Sequence, residues 1–261
     1  MNTISPSSAK ALRRSGFCRH HRPSKADRNP LAYSPYNEVA LNGWTAVPVD
    51  AGKIFGDRPF LNEPAPMSIR DIGFPSDDPV VAQTLRYAEE CLHTETFNHS
   101  MRVFYYGGGP LSSTWALACL LHDIGTADEN LTATRMSFDI YGGFKALLAL
   151  RDHGATPHQA EAIARHQETG VDGTITFLGQ LIQLATLYDN VGRHPCVKCF
   201  GKLIHETTRA EINKTHPRLK WCSFFATTVR KEVGVKPWCR STHIVNFDKK
   251  VESNTLMSAW E

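Results

Sequence analysis

His122 and Asp123 stand side by side at the end of the apolar run Trp115–Leu121. A run of that kind reads as a buried helix, and two ionisable groups at its end need a strong partner out of water. A divalent metal is such a partner. His99, and Asp189 far downstream, bring the set to the usual four ligands. Imidazole nitrogen and carboxylate oxygen in this mix suit zinc, iron (Fe2+) or manganese, with geometry deciding among them. Asp189 adds its own argument. It closes the segment Ile175–Tyr188, which is apolar on nearly every side and holds no Lys or Arg. An acid buried there needs a compensating charge, and a metal would supply one. A lone histidine on a helix is ordinarily a core or surface residue; the combination is what points to a metal.

The elements around these residues can bring them together. Helical patterning begins near Val80, and a second helix starts at Thr94 or Thr96 and carries Phe97, Met101, Val103 and Phe104. Gly107-Gly108-Gly109-Pro110 breaks it. The next helix opens at Ser112 or Ser113 and runs to Asp123, where Gly125 ends it. His99 lies seven residues before Tyr106 and His122 nine after Ser113. At about 1.5 Å per residue, the two stand roughly 10 and 14 Å from one turn, nearly level in an antiparallel hairpin. Further helices are expected over 136–150, interrupted at Gly142-Gly143, and over 157–166, 175–189, 207–215, 221–231 and 247–257. Residues 42–82, punctuated by Pro and Gly, are expected to wrap the surface with little regular structure. No strand alternation is sustained, so the fold class is all-α.

The 261 residues are enough for one large domain, here 42–261, behind a polar basic tail, 1–41. The net charge of +3 is concentrated in the first forty residues, which sum to +5, so the remainder is close to neutral and does not suggest nucleic acid. No stretch of eighteen apolar residues suggests a membrane span. Seven scattered cysteines suit a reducing compartment, and the cytoplasm is expected. The Arg- and Ser-rich leader also fits a mitochondrial presequence, but the prolines at 6, 23, 30 and 35 would interrupt its helix. Cys196-Val-Lys-Cys199 has the spacing of half a zinc knuckle; with no second pair, it reads as loop cysteines.

The order His99, His122-Asp123, Asp189 resembles that of the HD-domain metal-dependent hydrolases, an all-helical bundle with a buried metal site. The blocks Asn98–Tyr105, Thr114–Thr126, Thr134–Gly143, Arg165–Gln167, Gly173–Gly192 and Lys236–Cys239 resemble the fungal cyanamide hydratases, a likeness reaching from about Asn42 to Glu261. Between Tyr106 and Ser112 the chain is shorter than those enzymes, and the stretch before Arg165 is trimmed. The resemblance implies a zinc enzyme that adds water to the nitrile of cyanamide, a small neutral substrate, giving urea. It makes His99, His122, Asp123 and Asp189 the metal ligands. Asp123, or His166 through a water, would accept the proton, and Thr186 or protonated His166 would donate to the nitrogen that gains charge. Thr186 shares a helix face with Asp189, and its hydroxyl could equally back-bond to Ile182. Asn98 and Asn190 flank ligands and are expected to orient them. Two rivals stay open: a nucleotide phosphohydrolase, for which the neighbourhood offers only Arg102, Arg135 and Arg165, and an inactive scaffold. Homo-oligomerisation also stays open.

Overall fold

The Trp115–Leu121 run is the axis of the molecule: each of its seven side chains is completely buried. The fold is seen in a computed structural model that describes residues 36–56, 58–108, 112–164 and 172–261. Along the chain run α1 (Tyr36–Leu41), β1 (Ala46–Pro48), α2 (Ala51–Phe55), α3 (Ile69–Ile72), α4 (Pro79–Cys91), α5 (Thr94–Tyr106), α6 (Ser112–Leu121) and α7 (Asp128–Ala133). After them come α8 (Phe138–Asp152), α9 (Pro157–Ala164), β2 (Thr174–Thr176), α10 (Phe177–Asn190), α11 (Glu206–Thr215), α12 (Trp221–Val235) and α13 (Phe247–Glu252). Helix α6 is surrounded by α4, α5, α9 and α10, and α12 and α13 close the α5 side. Among the described residues, the structure is helical apart from one small ribbon. Among the described residues, no helix is long and apolar enough to cross a membrane.

Local chemistry explains the boundaries that matter. Pro79 opens α4, with Asp78 accepting from Val80 N at 2.9 Å and from Val81 N at 3.3 Å. The α5–α6 hairpin is stapled by Trp115, whose indole N–H donates to the Phe104 carbonyl at 2.9 Å. Its ring lies so close to Gly107 that a Cβ there would meet it at 2.3 Å, so the glycine is required for space. Thr176 caps α10, accepting from Gly179 N at 3.1 Å.

Several local expectations are corrected. Residues 42–82 hold β1, α2 and α3 rather than an irregular wrap. β1 pairs antiparallel with β2, with Ala46 opposite Thr176, a non-local ribbon that three-residue strands do not announce. Gly142-Gly143 does not interrupt α8. A Cβ on Gly142 would lie 3.1 Å from Gly125 N, and one on Gly143 would lie 2.7 Å from the Ala164 carbonyl, so these glycines let neighbouring backbone approach an intact helix. The last expected helix ends at Glu252, short of 257.

The link from α11 to α12 is tightly wound. Leu219 and Lys220 both take left-handed backbone, with φ of 54° and 61°, a region that residues other than glycine occupy sparsely. The turn aims Arg218 inward while Arg102 Nη1 donates to the His216 and Pro217 carbonyls at 3.1 and 3.2 Å. The His216 ring stacks on Tyr105, with centroids 5.4 Å apart. Burial, aided by Arg102, presses the His216 pKa down to about 4. The unfolded chain therefore binds the proton more readily than the native one between about 6.5 and 4. Stability from this group is present above 6.5 and falls as the pH drops through that window. His216→Gln should flatten part of the decline in urea-melt stability between pH 6.5 and 4; an unchanged slope would contradict this.

Candidate metal centre

Helix α5 supplies His99, and the turn after α6 supplies His122 and Asp123; all three are buried. The expected levelling of the hairpin is seen in the two imidazoles, whose centroids are 5.1 Å apart. The outer nitrogen of each ring fixes the role of the inner one. His99 Nδ1 lies 2.6 Å from Asp189 Oδ2 and donates to it. His122 Nδ1 donates to the Cys119 carbonyl at 2.7 Å. With both protons on Nδ1, each Nε2 presents a lone pair. Asp123 Oδ2 stands 3.6 Å from one Nε2 and 3.2 Å from the other. His99 Nε2 has no hydrogen-bond partner among the described residues.

Three electron-rich atoms thus meet in a buried space, all within 4.8 Å of one another. Such a meeting calls for a cation. Ligand atoms set tetrahedrally about 2.1 Å from an ion lie about 3.4 Å apart, and the 3.6 and 3.2 Å separations bracket that value. The residues fit a metal ion. The two rings differ in protonation. Burial pushes the His99 pKa down to about 4 against the pull of Asp189, so that ring is neutral. Burial opposes charge on His122 as well, but the Asp123 carboxylate outweighs it and raises the pKa.

Asp189 meets the cluster through His99. It is not one of the converging three; it stands behind His99, completely buried. Arg102 Nη2 reaches its Oδ2 at 2.9 Å and Arg218 Nη1 its Oδ1 at 2.5 Å. Burial disfavours the anion, but the two guanidinium groups overcome this and hold the carboxyl well below the usual carboxylate range. Arginines on α5 and on the α11–α12 link supply compensating charge. The helix that carries Asp189 shows only that such charge is needed. Arg102 carries a weak signal, three residues from His99 in a segment otherwise apolar on that face; Arg218, in a loop, carries none.

A cavity of about 360 Å³ opens onto the cluster, and Thr186, His122 and Asp123 all line it. Thr186 Oγ1 donates to the Gln183 carbonyl at 3.1 Å rather than to Ile182. Asn190 orients its ligand indirectly. It accepts from Trp221 Nε1 at 2.7 Å, and the Trp221 ring stacks on His99 at 4.3 Å between centroids. Asn98 donates to the Pro217 carbonyl at 3.0 Å, bracing the turn that carries Arg218. His166, with Arg165 and Gln167, lies outside the described residues. Cys196 and Cys199 are exposed, and Cys199 lines a separate open cavity of about 670 Å³.

A helical fold places a buried His-His-Asp cluster, which could hold a metal ion, beside a cavity that a small molecule can enter. No family model matches the chain. Two curated relatives do: the cyanamide hydratases DDI2 and DDI3 of Saccharomyces cerevisiae, each 37% identical over 231 residues, covering 82% of this chain and 97% of the relative. The chain belongs to the cyanamide hydratase family.

Two outcomes are expected. His122→Ala should leave the purified protein without the divalent ion that the unaltered chain retains, as metal analysis would show; full metal content would remove the cluster from consideration. Asp189→Ala should cost about 3–5 kcal/mol of unfolding free energy, because it strands buried guanidinium charge. A denaturation midpoint that does not move would contradict the role given to the two arginines.

Proposed function

We propose that this protein is a zinc-dependent hydro-lyase, built on an HD-domain fold, that adds water to the nitrile of cyanamide and forms urea. The observation that carries this reading is the convergence of His99 Nε2, His122 Nε2 and Asp123 Oδ2 beside a cavity that His122 and Asp123 line. Three protein ligands with a side left open are the pattern of a catalytic rather than a structural zinc site. Bound there, zinc would supply the Lewis acidity that makes water an effective nucleophile near neutral pH. The activity named for the two yeast relatives supports the choice of substrate.

The chain's own groups divide the remaining work. His99 and His122 hold their Nε2 lone pairs in place through Nδ1–H bonds to Asp189 and Cys119. Asp123 takes the proton that water releases, and His166 relays it. Water oxygen bonds to the nitrile carbon, and the terminal nitrogen gains charge and a proton; Thr186, on the cavity wall, turns its hydroxyl from Gln183 to donate to that nitrogen. The isourea that results tautomerises to urea.

Charge around the cavity supports a neutral substrate over a nucleotide. Phosphate recognition needs fixed cations. Among the described lining residues the one Lys or Arg is Arg240, which stands 3.1 Å from the Asp139 carboxylate. Arg102, counted earlier as a candidate, is committed to Asp189. The six cysteines among the described residues are free thiols, in keeping with a reducing compartment such as the cytoplasm.

The decisive assay gives the purified protein cyanamide beside a panel of nucleotides. Urea should form, stop on chelation and resume when zinc is returned. Phosphate release without urea would favour a phosphohydrolase, and metal binding without any turnover an inactive scaffold.

A further inference from the structure

Asp139 is a second buried acid on the wall of the metal cavity, and the metal cluster does not use it. Only 5% of its surface is exposed, yet it lines the space shared with His122 and Asp123. Its position is built by several contacts. Gly125, two residues past Asp123, packs so tightly on α8 that a Cβ would meet the Phe138 carbonyl oxygen at 1.9 Å. The turn bearing Asp123 and the first turn of α8 are therefore in direct backbone contact. Ser137 makes no side-chain cap for α8. Glu232, fully buried on α12, accepts from Phe138 N at 2.6 Å instead, and from Ser241 Oγ at 2.6 Å. Arg240 N donates to Ser137 Oγ at 2.7 Å, and Lys236 Nζ to the Met136 carbonyl at 2.8 Å. Arg240 Nη1 stands 3.1 Å from Asp139 Oδ2, while neither carboxyl oxygen has a well-formed hydrogen bond among the described residues.

A rigidly held carboxyl with spare acceptor capacity at a cavity wall is matched by a ligand that brings donors. We infer that Asp139 is the subsite for the amino end of the substrate, selecting nitriles that carry N–H groups. This rests on the hydratase reading. Cyanamide is a nitrile with a donor end: its amino N–H bonds are polarised by conjugation with the nitrile. With the nitrile carbon toward the metal cluster, the amino group is left to find an acceptor, and Asp139 supplies one. Asp139 acts on binding and orientation and takes no proton in the reaction.

The test compares cyanamide with N,N-dimethylcyanamide, which keeps the nitrile and lacks the N–H donors. The unaltered protein, Asp139→Ala and Asp139→Asn are assayed for urea, for competition by the dimethyl compound, for metal content and for melting temperature. Asp139→Ala should raise KM for cyanamide about ten- to a hundredfold, with a smaller change in kcat. Its zinc content and its inhibition by the dimethyl compound should stay unchanged. Asp139→Asn, which keeps a carbonyl acceptor, should recover part of the loss and remain folded if the alanine variant does not. Unchanged KM in both variants overturns the subsite while leaving the hydratase reading intact; so does equal weakening of both compounds. No urea from the unaltered protein overturns both.

Discussion

One completely buried carboxylate organises the centre of this protein. Asp189 sits at the end of α10 and gathers His99 and Arg102 from α5 and Arg218 from the α11–α12 link. Its backbone carbonyl accepts from Arg218 Nη2 at 3.1 Å and from Asn254 Nδ2 at 2.8 Å, which adds the segment after α13. Arg218 also pairs with Glu261 at the C-terminus. A charge this deep is tolerable only when countercharges and donors enclose it, so the segments that supply them have little freedom to move apart. The same carboxylate holds the His99 ring with Nε2 facing Asp123. Fold integrity and ligand geometry are thus coupled through a single group.

Around that anchor the work is distributed by distance from the cavity. Trp221 stacks on His99, held by Asn190, and fixes the ring plane without entering the cluster. Glycine at 125 and 142 removes the side chains that would separate the Asp123 turn from α8. Glu232, from α12, does for α8 what a local N-cap does for most helices, and so ties the far wall of the cavity to the rest of the bundle. The cavity joins the metal cluster to a wall held by α8, α12 and the loop after it.

Much of this was legible in the chain. The helices were readable because apolar runs and their breakers are local signals: Trp115–Leu121, the Gly107–Pro110 break and the Asp78-Pro79 start each act within a few residues. His99, His122 and Asp123 were found because types and spacing on a short hairpin constrain geometry. The β1–β2 ribbon was missed because it joins segments more than a hundred residues apart and each strand has only three residues. Asp139 and Glu232 carry no local sign of burial; only packing shows them buried.

Asp189 marks where local reading stops. Its own helix shows an acid that must be neutralised, and that demand was correctly inferred from composition alone. Long-range packing brings charge to it: two guanidinium groups separated from it by 87 and 29 residues reach its carboxylate. Residue type and periodicity determined the helical class and picked out the His-His-Asp cluster, since these follow from interactions a few residues long. The arginine cage, the left-handed turn that delivers Arg218, and the shared cavity of Asp123 and Asp139 arose only in the assembled fold, because electrostatic partners are chosen by proximity in space.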